Sequence, residues 1–404
     1  MMSASGSSTH WRRNQAAVTV ATFIGFTGFT LVMPFLPLYL KQLGERDTAV
    51  IAIWSGLSLG VTPLVTAFMT PVWARLAERV GRKLMVVRSL GSFVVIMTLM
   101  AWVSHPWQVF ALRCVQGLFA GYGPLAMMLA AESAPKEHMA TAIGWVQTSQ
   151  RLGPALGPVI GGALAAGVGI RGAFYVSALF YVAAFLFVIV GFHEPPRVVP
   201  DATSPRAAAP LTFAHFRALP YFLTALITVF VLQLVDRSFG PVLPLYLGEV
   251  GVDAARVPFL TGLIFTVAAT AAAVGNQMTA WWLRRLPPRR LLPMCATIAG
   301  VSAIVLGVGP SVAVMCLASV PFGLAMGIAT TSVYTDVGQR AESAERAVAF
   351  GYLQTAYLIG LAVSPVVAGF IGARSMRAVF FVDAAGLAGL AWFVRQRMAN
   401  EVRA

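Results

Sequence analysis

Apolar residues occur in long runs separated by short polar breaks along nearly the whole chain. A run of about 20 apolar residues has the length of a helix that crosses the hydrocarbon core of a bilayer. Counting each such run as one span predicts twelve transmembrane helices, six in each half of the sequence, at residues 15–40, 51–74, 84–104, 107–131, 140–166, 172–192, 219–247, 258–283, 291–309, 312–334, 347–371 and 376–396.

The sequence contains a long internal repeat. Pro-Phe-Leu-Pro-Leu-Tyr-Leu at 34–40 returns as Pro-Val-Leu-Pro-Leu-Tyr-Leu at 241–247, an offset of 207 residues. Gly-Trp-Val-Gln-Thr at 144–148 returns at 351–355, and Pro158 matches Pro365, at the same offset. Separated matches at one offset indicate a duplicated unit, which predicts two folded halves related by a pseudo-symmetry axis.

The predicted units are a six-helix bundle at 1–192 and a second at 218–404. The intervening segment, 193–217, is rich in proline and carries scattered charge, as expected of a linker on the cytoplasmic surface. A polar, serine-rich start with no cleavage site after a short apolar core predicts that the first span is retained rather than removed as a signal peptide.

Composition supports a membrane protein. Hydrophobic residues make up 58% of the chain and charged residues 11%, and the mean hydropathy is +0.77, values that a soluble protein of this size could not sustain. The three cysteines, Cys114, Cys295 and Cys316, lie inside apolar runs, so we expect no disulfide framework, metal site or cofactor. No set of His, Ser and carboxylate residues shares one depth, so we expect no enzyme.

The net charge of +14 reflects membrane topology. Lys and Arg concentrate in the loops on one face of the predicted spans, on the side of both termini, whereas the opposite loops hold few. This bias follows the positive-inside rule and predicts both termini in the cytoplasm of a bacterial inner membrane. Nucleic-acid binding would need basic residues clustered on a water-soluble face, so we expect no such partner.

The fifth span carries a spaced glycine motif. Positions 153, 157 and 161 recur every four residues and form a stripe without side chains, which allows another helix to approach closely. Ordinary small-residue packing would explain the stripe alone. The complete motif, Gly144, Gly153, Gly157, Pro158, Gly161 and Gly162, resembles the fifth-helix motif of drug:proton antiporters in the major facilitator superfamily. That resemblance implies two six-helix bundles around a central cavity, and a seal or hinge between the halves at this motif.

The loop after the second span also resembles this family. Residues 74–83 match its signature between helices two and three, which implies a cytoplasmic latch formed by Glu78, Arg79, Gly81 and Arg82. Ala74 replaces the usual glycine and Glu78 the usual aspartate. The equivalent loop of the second half, 283–290, has lost its acid, so there we expect only a topology signal.

Several ionisable residues lie inside apolar runs. Arg113 precedes Gln116 and Gly117 in a pattern similar to the family's fourth helix, where it is tied to proton exchange, while Arg151 lies in the fifth span. Embedded charges are costly and need a partner or a wet cavity. Asp236 is the candidate proton carrier, the alternative being a fixed salt bridge with an arginine on a facing helix. Neighbours on a helix point about 100° apart, so Arg237 is not its expected partner. For Asp383 we expect a structural role.

A cavity for amphipathic compounds should be mostly apolar with a few polar groups. The candidate lining residues on the repeated helices are Met33, Phe35, Trp54, Tyr122, Gln147, Phe230, Gln233, Tyr352, Gln354 and Tyr357.

These features predict a proton-coupled multidrug exporter that works as a monomer by alternating access, with a small-molecule substrate, protons and the lipid bilayer as partners. The alternatives are export of one specific metabolite or lipid on the same fold, or a membrane receptor that transports nothing.

Overall fold

The computed structural model describes residues 4–135, 138–193, 220–309, 311–340 and 346–400, and every regular element in these ranges is helical. A 3-10 turn at Met33–Phe35 joins the first two α-helices. The α-helices are α1 (Ala4–Val32), α2 (Leu36–Gln42), α3 (Thr48–Val80), α4 (Arg82–Met100), α5 (Pro106–Phe119), α6 (Tyr122–Ser133), α7 (Met139–Gly191), α8 (Pro220–Asp236), α9 (Leu243–Glu249), α10 (Val257–Leu283), α11 (Pro288–Val308), α12 (Val312–Arg340), α13 (Arg346–Gly372) and α14 (Met376–Asn400).

These helices form twelve membrane crossings. Nine segments of the described chain are long and apolar enough to cross a membrane. One of them, Trp145–Gly191, has 47 residues and is interrupted at Gly169, whose φ of 77° is not helical, so it crosses twice. Helix α8 with α9 and helix α5 with α6 supply the remaining two crossings. The linker predicted at 193–217 lies outside the described residues except for His193.

An even number of crossings places the start of α1 and the end of α14 on one face of the bundle, here named the terminal side. The other face, named the opposite side, carries the ends of helices at 43–47, 101–105, 250–256 and 373–375. Between them the interior is filled by buried apolar side chains contributed by both halves. Burial of these side chains holds the helices of each half together through close packing.

The duplication is visible in the hydrogen bonds. In the first half, the Tyr39 hydroxyl donates to the backbone oxygen of Met100 at 2.5 Å. In the second half, the Tyr246 hydroxyl donates to the backbone oxygen of Gly307 at 2.6 Å. Both partners are displaced by 207 residues, and each bond ties the end of a half's first span to the end of its third span. The repeat predicted from sequence is therefore a structural repeat.

The fourth span is broken between α5 and α6, where Gly121 adopts a φ of 121°. The break leaves carbonyl groups at the end of α5 without helical partners. The Trp73 indole donates to the Leu118 oxygen at 2.6 Å, and the Arg88 guanidinium donates to the Phe119 oxygen at 3.3 Å. Arg88 also lies over the Trp73 ring at 3.5 Å. These contacts satisfy the broken helix inside the membrane, where water is scarce.

Candidate transport site

The two halves contact each other near the opposite side. A β-carbon on Gly262, at the start of α10, would overlap the carbonyl oxygen of Pro158 in α7. A β-carbon on Gly56 in α3 would overlap the carbonyl oxygen of Pro365 in α13 in the same way. Since Pro158 and Pro365 are equivalent in the duplication, the contact between the halves is itself made twice. Only glycine allows backbones to approach this closely.

The glycine motif of the fifth span has two separate contacts. Its stripe packs within the first half, against residues 26–31 of α1, at Gly153, Gly157 and Gly161. On the neighbouring face, a β-carbon on Gly162 would lie 2.7 Å from the Pro258 oxygen of the second half. The stripe therefore joins the first and fifth spans, and Pro158 and Gly162 make the contact between halves. The backbone of α7 stays helical at Pro158 and breaks at Gly169.

Residues of the fifth and eleventh spans near the terminal side are exposed. Gln147 and Gln354, which are equivalent in the duplication, are both exposed. Trp145 is 57% exposed, and a β-carbon on Gly351 would meet no atom within 4 Å. The close backbone contacts between the halves therefore lie near the opposite side, whereas these residues near the terminal side are accessible.

The residues predicted to line the cavity divide into two groups. Seven are partly or fully exposed: Met33, Trp54, Gln147, Phe230, Tyr352, Gln354 and Tyr357. Phe35, Tyr122 and Gln233 are at most 6% exposed. Phe35 packs in the core, the Tyr122 hydroxyl donates to Thr22 Oγ1 at 3.0 Å, and Gln233 packs against Gly360. In this conformation these three side chains belong to the packed interior and not to the cavity surface.

Arg113 is 1% exposed and lies within the first half. Its Nη1 donates to Gln116 Oε1 at 2.7 Å, its backbone oxygen accepts from Thr62, and Tyr181 interacts with it electrostatically. No described acceptor reaches its Nε or Nη2. Carboxylates of the first half occur in the sequence only at 45, 47, 78, 132 and 137. Of the four in described ranges, Glu45 and Asp47 lie in a loop, and Glu78 and Glu132 lie near helix ends. None of these four described carboxylates lies inside a predicted span, as Arg113 does.

Asp236 is paired with Arg237, which corrects the expectation from helical geometry. Arg237 Nε lies 3.1 Å from Asp236 Oδ2, and their side chains are 45% and 32% exposed. Helix α8 ends at Asp236, so Arg237 lies in the following turn and the 100° helical separation does not apply. Arg237 also interacts with Tyr357 on α13. The ion pair thus lies at the end of a broken seventh span, next to a residue of the candidate cavity.

The latch residues are only partly described. Gly81 separates α3 from α4 with a φ of 107°, a conformation that favours glycine. Arg79 is exposed and Arg82 partly buried, and both make interactions within the protein. The side chains of Glu78 and Arg151 lie outside the described part of the structure, as do the surroundings of Gly144.

Sequence reasoning missed two features. The first is the pair of glycines that meet the equivalent prolines across the interface, since Gly262 meets Pro158 of the motif and Gly56 meets Pro365; the match of Pro158 with Pro365 was the available signal. The second is the partner of Asp383. Asp383 is 7% exposed, and its Oδ2 lies 2.5 Å from Ser238 Oγ. Nothing in the sequence brings these two residues together.

Comparison with known proteins agrees with this geometry. The chain matches the Major Facilitator Superfamily model over residues 18–260 and 225–403. Multidrug resistance protein MdtG of Klebsiella pneumoniae (strain 342) is 30% identical over 384 residues, 95% of this chain and 93% of the relative. MdtG of Enterobacter lignolyticus (strain SCF1) is 29% identical over 95% of this chain and 91% of the relative.

Solved structures show the same fold. A bacterial homolog of the human lysosomal transporter Spinster, in an inward-facing and unoccupied conformation, matches with a TM-score of 0.75 at 17% identity, over 96% of both chains. The nucleoside transporter NupG matches with a TM-score of 0.78 at 13% identity, over 95% of this chain and 98% of that chain. With the duplicated bundles and the family match, these likenesses establish that the chain belongs to the major facilitator superfamily.

Proposed function

We propose that this protein exports small amphipathic, drug-like molecules across a bacterial inner membrane in exchange for protons. The observation that supports the proposal is the asymmetric contact between the halves: their backbones meet near the opposite side, while Gln147 and Gln354 are exposed toward the terminal side. Alternating access requires such a state and its inverse. The name of the MdtG relatives favours drug-like cargo over a single metabolite or lipid.

The direction of transport follows from the charge pattern. Lys and Arg concentrate in the loops of the terminal side, so we place both termini in the cytoplasm. The present conformation is then open to the cytoplasm and ready to load cargo for export. Protons entering from outside would drive the cycle, since each charge that crosses the potential contributes about 2.3 kcal/mol per 100 mV.

The candidate cavity fits amphipathic molecules of varied shape. Its partly exposed residues are mainly aromatic or apolar, with Gln147 and Gln354 as neutral hydrogen-bonding groups. Such a surface accepts several poses, because apolar and neutral side chains impose few directional contacts on a ligand. One chain supplies both halves of this cavity, so we propose that the monomer is the working unit.

Coupling to protons is assigned to the Asp236–Arg237 pair. The pair lies at the end of α8, partly exposed, and Arg237 interacts with Tyr357 on a helix of the interface. Protonation of Asp236 would remove its attraction for Arg237 and free that side chain to interact elsewhere. Arg113 and Arg151 act in this scheme as embedded cations of the first half. The segment at Glu78, Arg79, Gly81 and Arg82 acts as a latch on the cytoplasmic face.

Transport in liposomes tests the proposal. The purified protein is reconstituted, a pH gradient is imposed, and movement of cationic, neutral and anionic amphiphiles is followed. We expect gradient-driven accumulation of at least one compound class, abolished by a protonophore. Absence of proton-dependent movement for the whole panel would reject antiport, whereas movement that ignores the pH gradient would indicate a transporter without proton coupling.

The matched variants are Asp236→Asn and Asp253→Asn. Asp253 caps a turn outside the spans, where its Oδ1 accepts from the Ala255 amide at 3.0 Å. An asparagine oxygen can make the same bond, so we expect Asp253→Asn to transport normally. Asp236→Asn should lose gradient-driven transport. If Asp236→Asn transports like the wild type, Asp236 is not required for coupling.

A further inference from the structure

Asp383 is a buried carboxyl group inside the last span. It lies seven residues into α14, or about 10 Å from the start of that helix at the opposite side. Ser238 is its hydrogen-bond partner among the described residues. An isolated carboxylate in the membrane interior is costly unless it is paired with a cation or keeps its proton.

The hydrogen bonds of Ser238 indicate whether Asp383 is a carboxylate or keeps its proton. Ser238 Oγ lies 2.5 Å from Asp383 Oδ2 and 2.8 Å from the backbone oxygen of Val235. A serine hydroxyl has one hydrogen and can donate to only one of these two oxygens. A proton on Asp383 supplies the second hydrogen, which gives a chain from the carboxyl group to Ser238 and from Ser238 to the Val235 oxygen.

The first half contains the same link without a titratable group. There Ser177 Oγ, in the sixth span, donates directly to the backbone oxygen of Gly28 in the first span at 2.6 Å. Gly28 and Val235 are equivalent in the duplication, and Ser177 is equivalent to Ala384, the neighbour of Asp383. In the first half a serine of the last span donates to this backbone oxygen directly. In the second half Ser238 donates to it, and the last span contributes the carboxyl group that is bonded to Ser238.

Within the described ranges, the elements around Asp383 offer no cation bonded to it. On the α8 side, Arg237 is paired with Asp236. On α9, the Tyr246 hydroxyl is bonded to the Gly307 oxygen and Glu249 is exposed; on α14 itself, Arg377 is exposed. Helix α11 meets this part of α14 through Gly300 and Gly307, against Ala384 and Phe380. On α11, the titratable side chain closest in sequence to Gly300 is the thiol of Cys295. On α13, the titratable side chains are the phenols of Tyr352 and Tyr357.

We propose that Asp383 is a second proton-binding site of the transport cycle, occupied by a proton in the conformation that opens on the terminal side. In this state Asp383 is neutral, whereas Asp236 is paired with Arg237. When Asp383 releases its proton to water of the cavity, the Ser238 hydroxyl turns from the Val235 oxygen to the new carboxylate. The bond that fixes the end of α8 is then lost, which ties the protonation of α14 to the shape of the seventh span. This inference rests on the proposed proton antiport.

Infrared spectroscopy of the full-length protein in liposomes tests the protonation state directly. We expect a carboxylic acid C=O band at neutral pH that is absent from Asp383→Asn and retained in Asp236→Asn and Asp336→Asn. Asp336 serves as the buried control because it pairs with Arg340 at 3.1 Å. Absence of the band from the wild type, or its persistence in Asp383→Asn, would overturn the proposal.

The serine has a matched control of its own. Ser238→Ala should shift the carboxylic acid band, because the Asp383 proton loses its acceptor. Ser319→Ala should leave the band unchanged, since Ser319 is buried but bonds only to the Met315 oxygen of its own helix at 2.8 Å. An unshifted band in Ser238→Ala would contradict the hydrogen-bond chain.

Transport separates this inference from the proposed function. Asp383→Asn keeps a donor toward Ser238, so it should fold and retain substrate counterflow while losing pH-gradient-driven accumulation, and Asp383→Glu should restore part of that accumulation. A wild type that ignores the pH gradient would refute the antiport itself. A coupled wild type with an equally coupled Asp383→Asn would refute the role of Asp383 alone.

Discussion

The two halves share a scaffold but differ in their embedded charges. Equivalent tyrosines tie equivalent carbonyl groups in both halves, and equivalent prolines meet glycines across the interface. The charged positions have no such counterparts. Arg113 and Gln116 of the first half correspond to Val320 and Gly323, whereas Asp236 and Asp383 of the second half correspond to Phe29 and Val176.

This difference separates what the fold needs from what transport needs. Bonds to backbone oxygens and glycine contacts recur because both halves must pack in the same way. An embedded cation in one half and carboxyl groups in the other do not recur, and each is costly for a membrane protein to retain. We therefore expect the residues that respond to protons or cargo to be among these asymmetric charges.

The largest expected effect comes from blocking either of the duplicated contacts between halves. Gly56→Leu and Gly262→Leu place a side chain where Pro365 or Pro158 presents its carbonyl oxygen. Overpacking costs about 1–3 kcal/mol, enough to change the ratio of closed to open states about 5- to 150-fold. Both variants should lose most transport, and spin-label distances between positions 47 and 374 should lengthen.

The control is Gly389→Ala, because a β-carbon there meets no atom within 4 Å. It should transport at the wild-type rate. If Gly56→Leu blocks transport while Gly262→Leu does not, the two contacts are not functionally equivalent despite their symmetry.

The sequence predicted the spans and the duplication because both are visible as patterns along the chain. Run length predicted the twelve spans, and the 207-residue offset predicted the duplication, which Tyr39 and Tyr246 display. Partners across helices were not predictable. The run at 219–247 does not reveal that α8 ends at Asp236, and this end is what allows Arg237 to pair with it. The burial of Phe35 depends on the rotation of a short turn, which hydropathy does not record.

An intermediate effect is expected from removing the embedded cation of the first half. The double variant Arg113→Met with Gln116→Leu makes this site apolar, as it is at Val320 in the second half. Removing a buried charge that has no carboxylate partner should raise the free energy of unfolding by about 1–3 kcal/mol. Transport should fall, which would show that the charge is retained for function.

Thermal unfolding in detergent measures the stability of the variant, and substrate counterflow in liposomes measures its transport, both from the same protein preparation. The converse result, lower stability together with unchanged transport, would make Arg113 a structural residue. The first half would then differ from the second in packing and not in function.

The smallest effect concerns the tyrosines that the halves share. Tyr39→Phe and Tyr246→Phe each remove one hydrogen bond to a buried backbone oxygen, at Met100 and at Gly307. Each substitution should lower the free energy of unfolding by about 1 kcal/mol without changing proton coupling. The two sites lie in separate halves with no common partner, so the double variant should show the sum of the two losses. Unequal losses would mean that the scaffold has diverged as well as the charges, because Arg171, which interacts with Tyr39, corresponds to Ala378 in the second half.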